Sequence, residues 1–563
     1  MTTATIYAIQ TSCSSWRASS FSPNIDDVRS RASLLSSISL KPFLKELNQT
    51  TVFRHVPKMI KEASVRLLDS FVYLAFEFVD QTLLPSQWKR LERAVQVTAG
   101  SIDGRIPDDF PEGVYVRNGP NPLFGGLKST KSIFGKSSHT WIEGEGMLHA
   151  LYFSKDSDGR WKISYNNRHV ETDTFKHEKD RKKPAFLPAI EGDSPAVFLA
   201  YVLNWLRFGF VNKYLSNTSV FEHSGKFYSA AENHIPQEID ILTLETSRNW
   251  DINGDWTRPF TSHPKKAPGT GELVIMGIYA QKPYFELGIV SADGKKLLHR
   301  VDLKLNRCCL CHEIGVTRRY NVIMDFPLTL DINRLIRGGP LIKYDKKGYA
   351  RIGIMPRYGD ADSVHWFEVE PSCTFHIINC YEQDDEVIVL ACRARNSIIP
   401  GPDFGWNKFE WFSKGFKQIG ALEEDESFLS RVYEWRLNML TGEVAEKNLT
   451  GAEYSMDFPI VNEKYIGKKN KFGYTQVVDS DASSMSGMAK YGGLAKLYFE
   501  EMELEELIKD DGWIITYVHN EDSDVSQVYI VDAKNFSHEP VAKITLPRRV
   551  PYGFHGAFMP LRP

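Results

Sequence analysis

Short runs of β-branched and aromatic residues, each closed by turn residues, recur along most of this chain without long helices between them. LVIMGIYA (273–280), YNVIMDF (320–326), CTFHIINCY (373–381), DEVIVLACRA (385–394), WIITYVH (513–519) and VYIVDA (528–533) are of this kind. Such runs suit a pleated, half-buried surface, and their close spacing makes the connections hairpins rather than helical crossovers. Many short antiparallel strands over roughly 450 residues predict a β-propeller more readily than a sandwich, because radial repetition protects so many strand edges. The expected fold class is therefore all-β. The sequence repeat itself is too weak to count blades from.

Composition narrows the function classes. The 563 residues are 42% hydrophobic and 25% charged, with a net charge of −3. That supplies a large core and no positive field to recruit nucleic acid. Seven cysteines, at 13, 308, 309, 311, 373, 380 and 392, are odd in number and clustered. They make a poor disulfide framework and read as thiols in a reducing compartment. The first 24 residues contain no Asp or Glu and many Ser and Thr. This bias suits a plastid transit peptide, with a disordered cytoplasmic N-terminus as the alternative.

Two segments depart from the strand pattern. From Thr51 to about Leu84 the spacing is helical: Val65, Leu68, Val72, Val79 and Leu83 form an apolar stripe that Phe76 widens. Asp69, Glu77 and Asp80 exclude a transmembrane span. The stripe either packs on the domain or rests on a bilayer surface. The second segment begins with Ser194-Pro195, a good N-cap followed by proline at the first helical position. It runs through AVFLAYVLNWLRFGF and ends with Trp205, Phe208 and Phe210. It suits a greasy entrance, a bilayer contact or a buried core helix. Residues 1–50 then form a leader and linker, and 51–88 an amphipathic membrane-contact region.

Cys308, Cys311 and His312 satisfy the C-x-x-C-H pattern of covalent haem attachment. Haem attachment usually presents its histidine on a helix, whereas this stretch leads into a clear strand. Small buried hydrophobes explain the thiols adequately. The histidine has company. His263 in TSHPK, His312 in CHE, His376 in TFHIIN and His555 in GFHG sit beside small residues or at strand starts. Each taken singly is more often a core histidine, and only a closed radial fold would bring all four together.

These contexts, with EGVYVRNGPNP (112–122), EGEGMLH (143–149) and RVPYGFHG (549–556), resemble the motifs of the carotenoid oxygenase family, from about residue 90 to the end. The resemblance is nearest to the plant carotenoid cleavage dioxygenases, although those usually carry aspartates at the positions of Glu143 and Glu145. It implies a seven-bladed β-propeller over 89–563, with a helical and loop cap, whose axis holds one Fe(II) through His263, His312, His376 and His555. It implies carboxylates behind those ligands, matched by Glu232 in YSAAENHIP and by Asp457 in SMDFPIVN. It also implies O2 as cosubstrate, a carotenoid or apocarotenoid substrate, and peripheral membrane contact. The oligomeric state is left open.

One departure stands out. Relatives carry a third acid and a Phe-Val-Pro strand between a GLAKLYF-like strand and a DDGW-like hairpin. Here LAKLYF (494–499) runs through EEMELEELIK directly to Asp510-Asp511-Gly512-Trp513. One blade is expected to be incomplete, exposing an edge unless another strand substitutes. One ligand histidine is expected to lack its orienting partner. Three readings follow: a carotenoid-cleaving Fe(II) dioxygenase, a catalytically lapsed apocarotenoid-binding propeller, and an enzyme acting on another polyene or a stilbene-like substrate.

Overall fold

Each of the six quoted runs forms a strand: Leu273–Ile278, Tyr320–Asp325, Cys373–Gln383, Glu386–Ala394, Trp513–Asn520 and Val525–Asp532. The computed structural model describes residues 7–8, 58–80, 95–97, 101–140, 142–397, 430–486, 489–500 and 511–560. Among these residues the strands form nine sheets, and seven share one plan built mainly from successive antiparallel strands. Apolar cores between neighbouring sheets hold them in a ring. Val116 and Leu148 of the first sheet meet Val220 and Ile239 of the second. Tyr228 and Trp250 then meet Leu273 and Ile275. Met276, Ile352 and Val389 lie in one cluster joining the third, fourth and fifth sheets. Leu390 meets Met456 and Ala495 of the sixth, and Tyr474 meets Ile514 and Val531 of the seventh. Val528 and Ile530 return to Leu151 and Phe153 of the first. A fully buried side chain of this size is worth about 1.5–3 kcal/mol, so these cores outweigh any loop in fixing the ring. The fold is an all-β propeller.

Both ends of the described chain stitch the ring shut. The last strand, Gly556–Met559, pairs with Gly113–Pro120 in the first sheet. The early strand Ile102–Gly104 pairs with Ala542–Thr545 in the seventh. The blade expected to be incomplete falls at the sixth and seventh sheets, and each of these has four strands among the described residues. Tyr491–Tyr498 of the sixth takes Tyr7–Ala8 as its outer neighbour, at Lys496 and Ala495. Trp513–Asn520 of the seventh pairs, among the described residues, with Val525–Asp532 alone.

The longest helices among the described residues lie outside the ring: α1 (Lys58–Ala75), α2 (Asp173–Arg181) and α3 (Ser194–Phe208). The expected continuous helix to Leu84 is corrected. It stops at Ala75, and Glu77–Asp80 is a strand paired with Lys128–Ser132. Val79 therefore sits on a strand, and Leu83 lies outside the described residues. The face of α1 chosen for membrane contact is also corrected. Val72 and Phe76 are buried with Leu187, Ala200 and Leu203, and Leu68 packs against them; Val65 is half-buried. Asp69, bonded to Arg207 Nε at 2.8 Å and to Arg181 Nη1 at 2.5 Å, ties α1 to α2 and α3. The exposed stripe is instead Leu67, Phe71 and Leu74, which are 74%, 43% and 89% exposed. These lie at spacings of four and three, one helical face.

The cap of α3 is Asp193, one residue before the expected Ser194, with proline still in the first turn. The Asp193 carboxylate accepts from Lys136 N at 2.7 Å rather than from the helix, and Ser194 Oγ donates to Gly339 O at 2.9 Å. Phe208 is corrected as a free membrane contact: its ring packs 4.7 Å from His177 and 4.6 Å from Phe186. Phe210 packs edge-on to Tyr214 at 5.0 Å, and Trp205 is half-buried. No helix among the described residues is long and apolar enough to cross a membrane.

Candidate metal centre

Four sheets begin at the propeller axis with a strand that carries or immediately follows a histidine. His263 precedes Lys265–Lys266, His312 precedes Gly315–Val316, His376 lies within Cys373–Gln383, and His555 directly precedes Gly556–Met559. One potential ligand nitrogen from each lies within 4.8 Å of all the others. Hence four residues spread over some 290 positions of sequence share one point.

Local irregularity aims two of the side chains. Around His376 the pairing with Glu386–Ala394 shifts register twice, between Thr374 and Ile377 and between Ile377 and Asn379. A bulge of this kind bends a strand and re-aims its side chains. A second shift follows Asp457, where Phe458 adopts a φ of 54°. The two bulges meet: His376 Nδ1 lies 2.6 Å from Asp457 Oδ1. Ser430 Oγ donates to the other Asp457 oxygen at 3.0 Å, and Phe458 N donates to Oδ1 at 2.8 Å. His312 Nδ1 lies 2.7 Å from Glu232 Oε1.

A carboxylate on Nδ1 fixes the tautomer and turns a lone pair outward on Nε2. The Nε2 of His376 is buried with no hydrogen-bond partner, and those of His263 and His312 are 3.0 Å apart. Imidazole–metal bonds of about 2.1 Å at a right angle put adjacent nitrogens about 3.0 Å apart. Burial and the neighbouring imidazoles hold His263 and His555 well below the usual histidine range, so both are neutral donors. Burial also opposes a charge on His312, but the Glu232 carboxylate outweighs it and raises that pKa. An all-nitrogen donor set of imidazoles suits a divalent first-row ion such as Fe(II) over calcium or magnesium. The residues present fit the ion that the sequence motifs imply.

The structure thus brings together every expected ligand and both expected carboxylates. Among the described residues no carboxylate pairs with His263 or His555. Two contributors went unrecognised in the sequence although they stand inside the quoted contexts. Glu313, next to His312, accepts from Ile377 N at 2.6 Å and pins the strand that carries His376; Lys265, of TSHPK, pairs with Glu313. The thiols stay outside this chemistry. Cys308, Cys309 and Cys311 are buried and free, and burial pushes the Cys308 and Cys311 thiols up to about 12. Glu145 of the EGEG motif is structural. It accepts from Leu123 N at 2.8 Å and pairs with Lys213 at 2.6 Å, which also reaches Glu178 at 2.8 Å.

The Asp457–His376 bond makes a direct prediction. Asp457→Ala is expected to weaken ferrous binding about 10- to 100-fold. Asp457→Asn, which can still accept from Nδ1, should lose less. Competition with a coloured chelator checks both, and equal affinities for all three proteins would remove Asp457 from the site.

The profile of the family described as retinal pigment epithelial membrane protein matches residues 88–560. The carotenoid 9,10(9',10')-cleavage dioxygenase 1 of Phaseolus vulgaris is 30% identical over 502 residues, spanning 81% of this chain and 86% of its own. Among solved structures, the lignostilbene dioxygenase of Pseudomonas brassicacearum superposes with a TM-score of 0.66 at 21% identity, covering 85% of this chain and 99% of that one. A variant of Synechocystis apocarotenoid oxygenase gives 0.64 at 18% identity, covering 84% and 97%. At such identities these two likenesses speak for the fold. With the profile spanning most of its length and a relative this similar, the chain belongs to the retinal pigment epithelial membrane protein family, the carotenoid oxygenases.

Proposed function

We propose that this chain is an Fe(II)-dependent dioxygenase that cleaves a conjugated carbon–carbon double bond of a carotenoid or apocarotenoid. The observation that carries this reading is the convergence of four imidazoles, two of them braced by carboxylates, on one point. When bound, the ion supplies the redox centre at which O2 and the double bond meet. Both oxygen atoms end in two carbonyl products, so the reaction balances without an external reductant. The chain's own work is to hold and shield. Asp457 and Glu232 fix the imidazole tautomers. Phe375 stacks on His312 at 5.1 Å, and Phe458 lies 4.9 Å from His376 and 5.0 Å from His555. These rings wall the cluster against water and offer flat faces to a flat polyene.

The test is oxygen uptake by anaerobically reconstituted protein, with carotenoids, apocarotenals and stilbenes in micelles. One O2 consumed per polyene, with two carbonyl products labelled from 18O2, is the expected result. Folded, iron-loaded protein that consumes no O2 with any of them sinks the proposal. The lapsed binder has one observation in its favour, the absence of a described carboxylate at His263 and His555. Tight polyene binding with poor iron retention would select it.

A carotenoid dissolves in bilayers rather than water, so we extend the proposal to a membrane surface met by Leu67, Phe71 and Leu74 of α1. An apolar helix face seated at the interface gains by removing that area from water. Each leucine contributes about 1.5–3 kcal/mol when fully buried. Leu67→Glu combined with Leu74→Glu should therefore cut liposome binding by at least about 10-fold. Unchanged co-sedimentation would dismiss this face. The acid-free leader supports a plastid location within the same proposal.

A further inference from the structure

Between the sixth and seventh sheets lies a cavity of about 290 Å³ that reaches inward to Phe458 and Phe554, beside the histidine cluster. It borders the strand Trp513–Asn520, which has a single described partner. Arg117, from the YVRNGP motif, stands in its wall. In the strand Gly113–Pro120 alternate residues share a face, so Tyr115 and Arg117 point the same way. Tyr517 covers both: its ring stacks 5.3 Å from Tyr115, and the guanidinium lies 4.5 Å from its centroid.

The state of that guanidinium is unusual. Arg117 is only 9% exposed. Its Nη2 donates to Pro551 O, its Nε is buried and donates to nothing, and no described carboxylate pairs with it. The titratable groups that act on it are the phenols Tyr517, Tyr115 and Tyr165 and the His149 imidazole. A buried cation without a counter-ion is a standing cost to the fold, and an anion that arrives to pair with it relieves that cost. The other formal charges in the wall have partners: the Asp479 carboxylate accepts from Ala482 N at 2.9 Å. Lys490 pairs with Glu521 at 2.6 Å, and Tyr552 Oη donates to Glu521 at 2.5 Å. The planar guanidinium selects carboxylate geometry. Around it Tyr491, Leu494, Val518 and Val531 present apolar and aromatic surface. An apolar cavity of about 150 Å³ holds benzene, so this volume takes a body roughly twice that size.

We propose that this cavity is a binding site for a short, unsaturated or aromatic monocarboxylate, with the carboxylate on Arg117 and the apolar body directed toward the histidine cluster. The site needs no metal and is separate from the dioxygenase reading. Its test is therefore an equilibrium measurement on iron-free, full-length protein. Calorimetric titration with trans-cinnamate and with methyl trans-cinnamate compares the acid with its neutral ester. The acid should bind at least 10-fold more tightly. Arg117→Met should erase that preference, and Val518→Trp, which fills the cavity, should weaken acid and ester alike. Equal binding of the two probes, or binding of neither, overturns the proposal. If Arg117→Met fails to fold, Val518→Trp still decides, because an acid preference and affinity untouched by that change place the site elsewhere.

Discussion

Replacing His376 by alanine empties the centre: ferrous iron is expected to fall from near one per chain to background, with oxygen uptake lost in proportion. The deletion does more than remove one donor. His376 is the imidazole with the most completely fixed geometry, braced on Nδ1 by Asp457 and carrying a buried, unpartnered Nε2. Losing the brace alone costs about 10- to 100-fold, so losing the ligand itself must exceed that range. The fold should tolerate the change. Asp457 keeps its bonds from Ser430 Oγ and Phe458 N, which leaves the carboxylate hydrogen-bonded rather than stranded. Metal analysis together with a melting curve separates the two effects. Stoichiometric iron in folded His376→Ala would remove this histidine from the ligand set.

The second large effect lies away from the centre. Lys213→Met strands two buried carboxylates, Glu145 and Glu178, which lie 2.6 and 2.8 Å from the ammonium. Breaking a buried pair from one side typically costs about 3–5 kcal/mol, because the remaining charge has nowhere to go. The pH dependence should change sign. In the natural protein burial works against the Glu145 carboxylate, but Lys213 outweighs it and holds that pKa down to about 2. A depressed carboxylate stabilises the fold above its unfolded value of 4.5. That contribution is lost as pH falls toward 2. Without the ammonium, burial raises the pKa instead. The variant then gains stability on protonation and loses it as pH rises through the raised value. Between about pH 5 and 7 the Glu145 contribution in the natural protein is already complete and level, whereas the urea midpoint of the variant should fall as pH rises. Parallel slopes would show that Lys213 is not the partner that keeps Glu145 ionised.

Much of the fold was legible because strand-forming runs carry their own signal. CTFHIINCY and DEVIVLACRA could be little other than a hairpin, and they are one. The centre was legible for another reason: each histidine sits in a distinctive local context, although nothing local says that the four contexts meet. What escaped notice depends on facing rather than on spacing. The α1 pattern holds apolar residues nearly all round, so periodicity could not tell which stripe α3 would cover. Val72 and Phe76 went inward, and Leu67 and Leu74 were left out. The end of α1 was hidden likewise, since Phe76 to Val79 continues an apolar spacing while pairing as a strand with Lys128–Ser132. Glu313 escaped because its role is to hold a backbone amide 64 positions away.

The strand Gly556–Met559 closes the ring, and the residue immediately before it is His555. Synthesis on the ribosome runs from the N-terminus, so the His555 imidazole emerges after the other three. A nascent chain has three of the clustered imidazoles in hand while the cylinder is still open, and it acquires the fourth only in the act of latching. Gathering the fourth imidazole and closing the ring are therefore one event in the life of the molecule. A chain cut just before His555 would lose the fourth imidazole and the closing strand together.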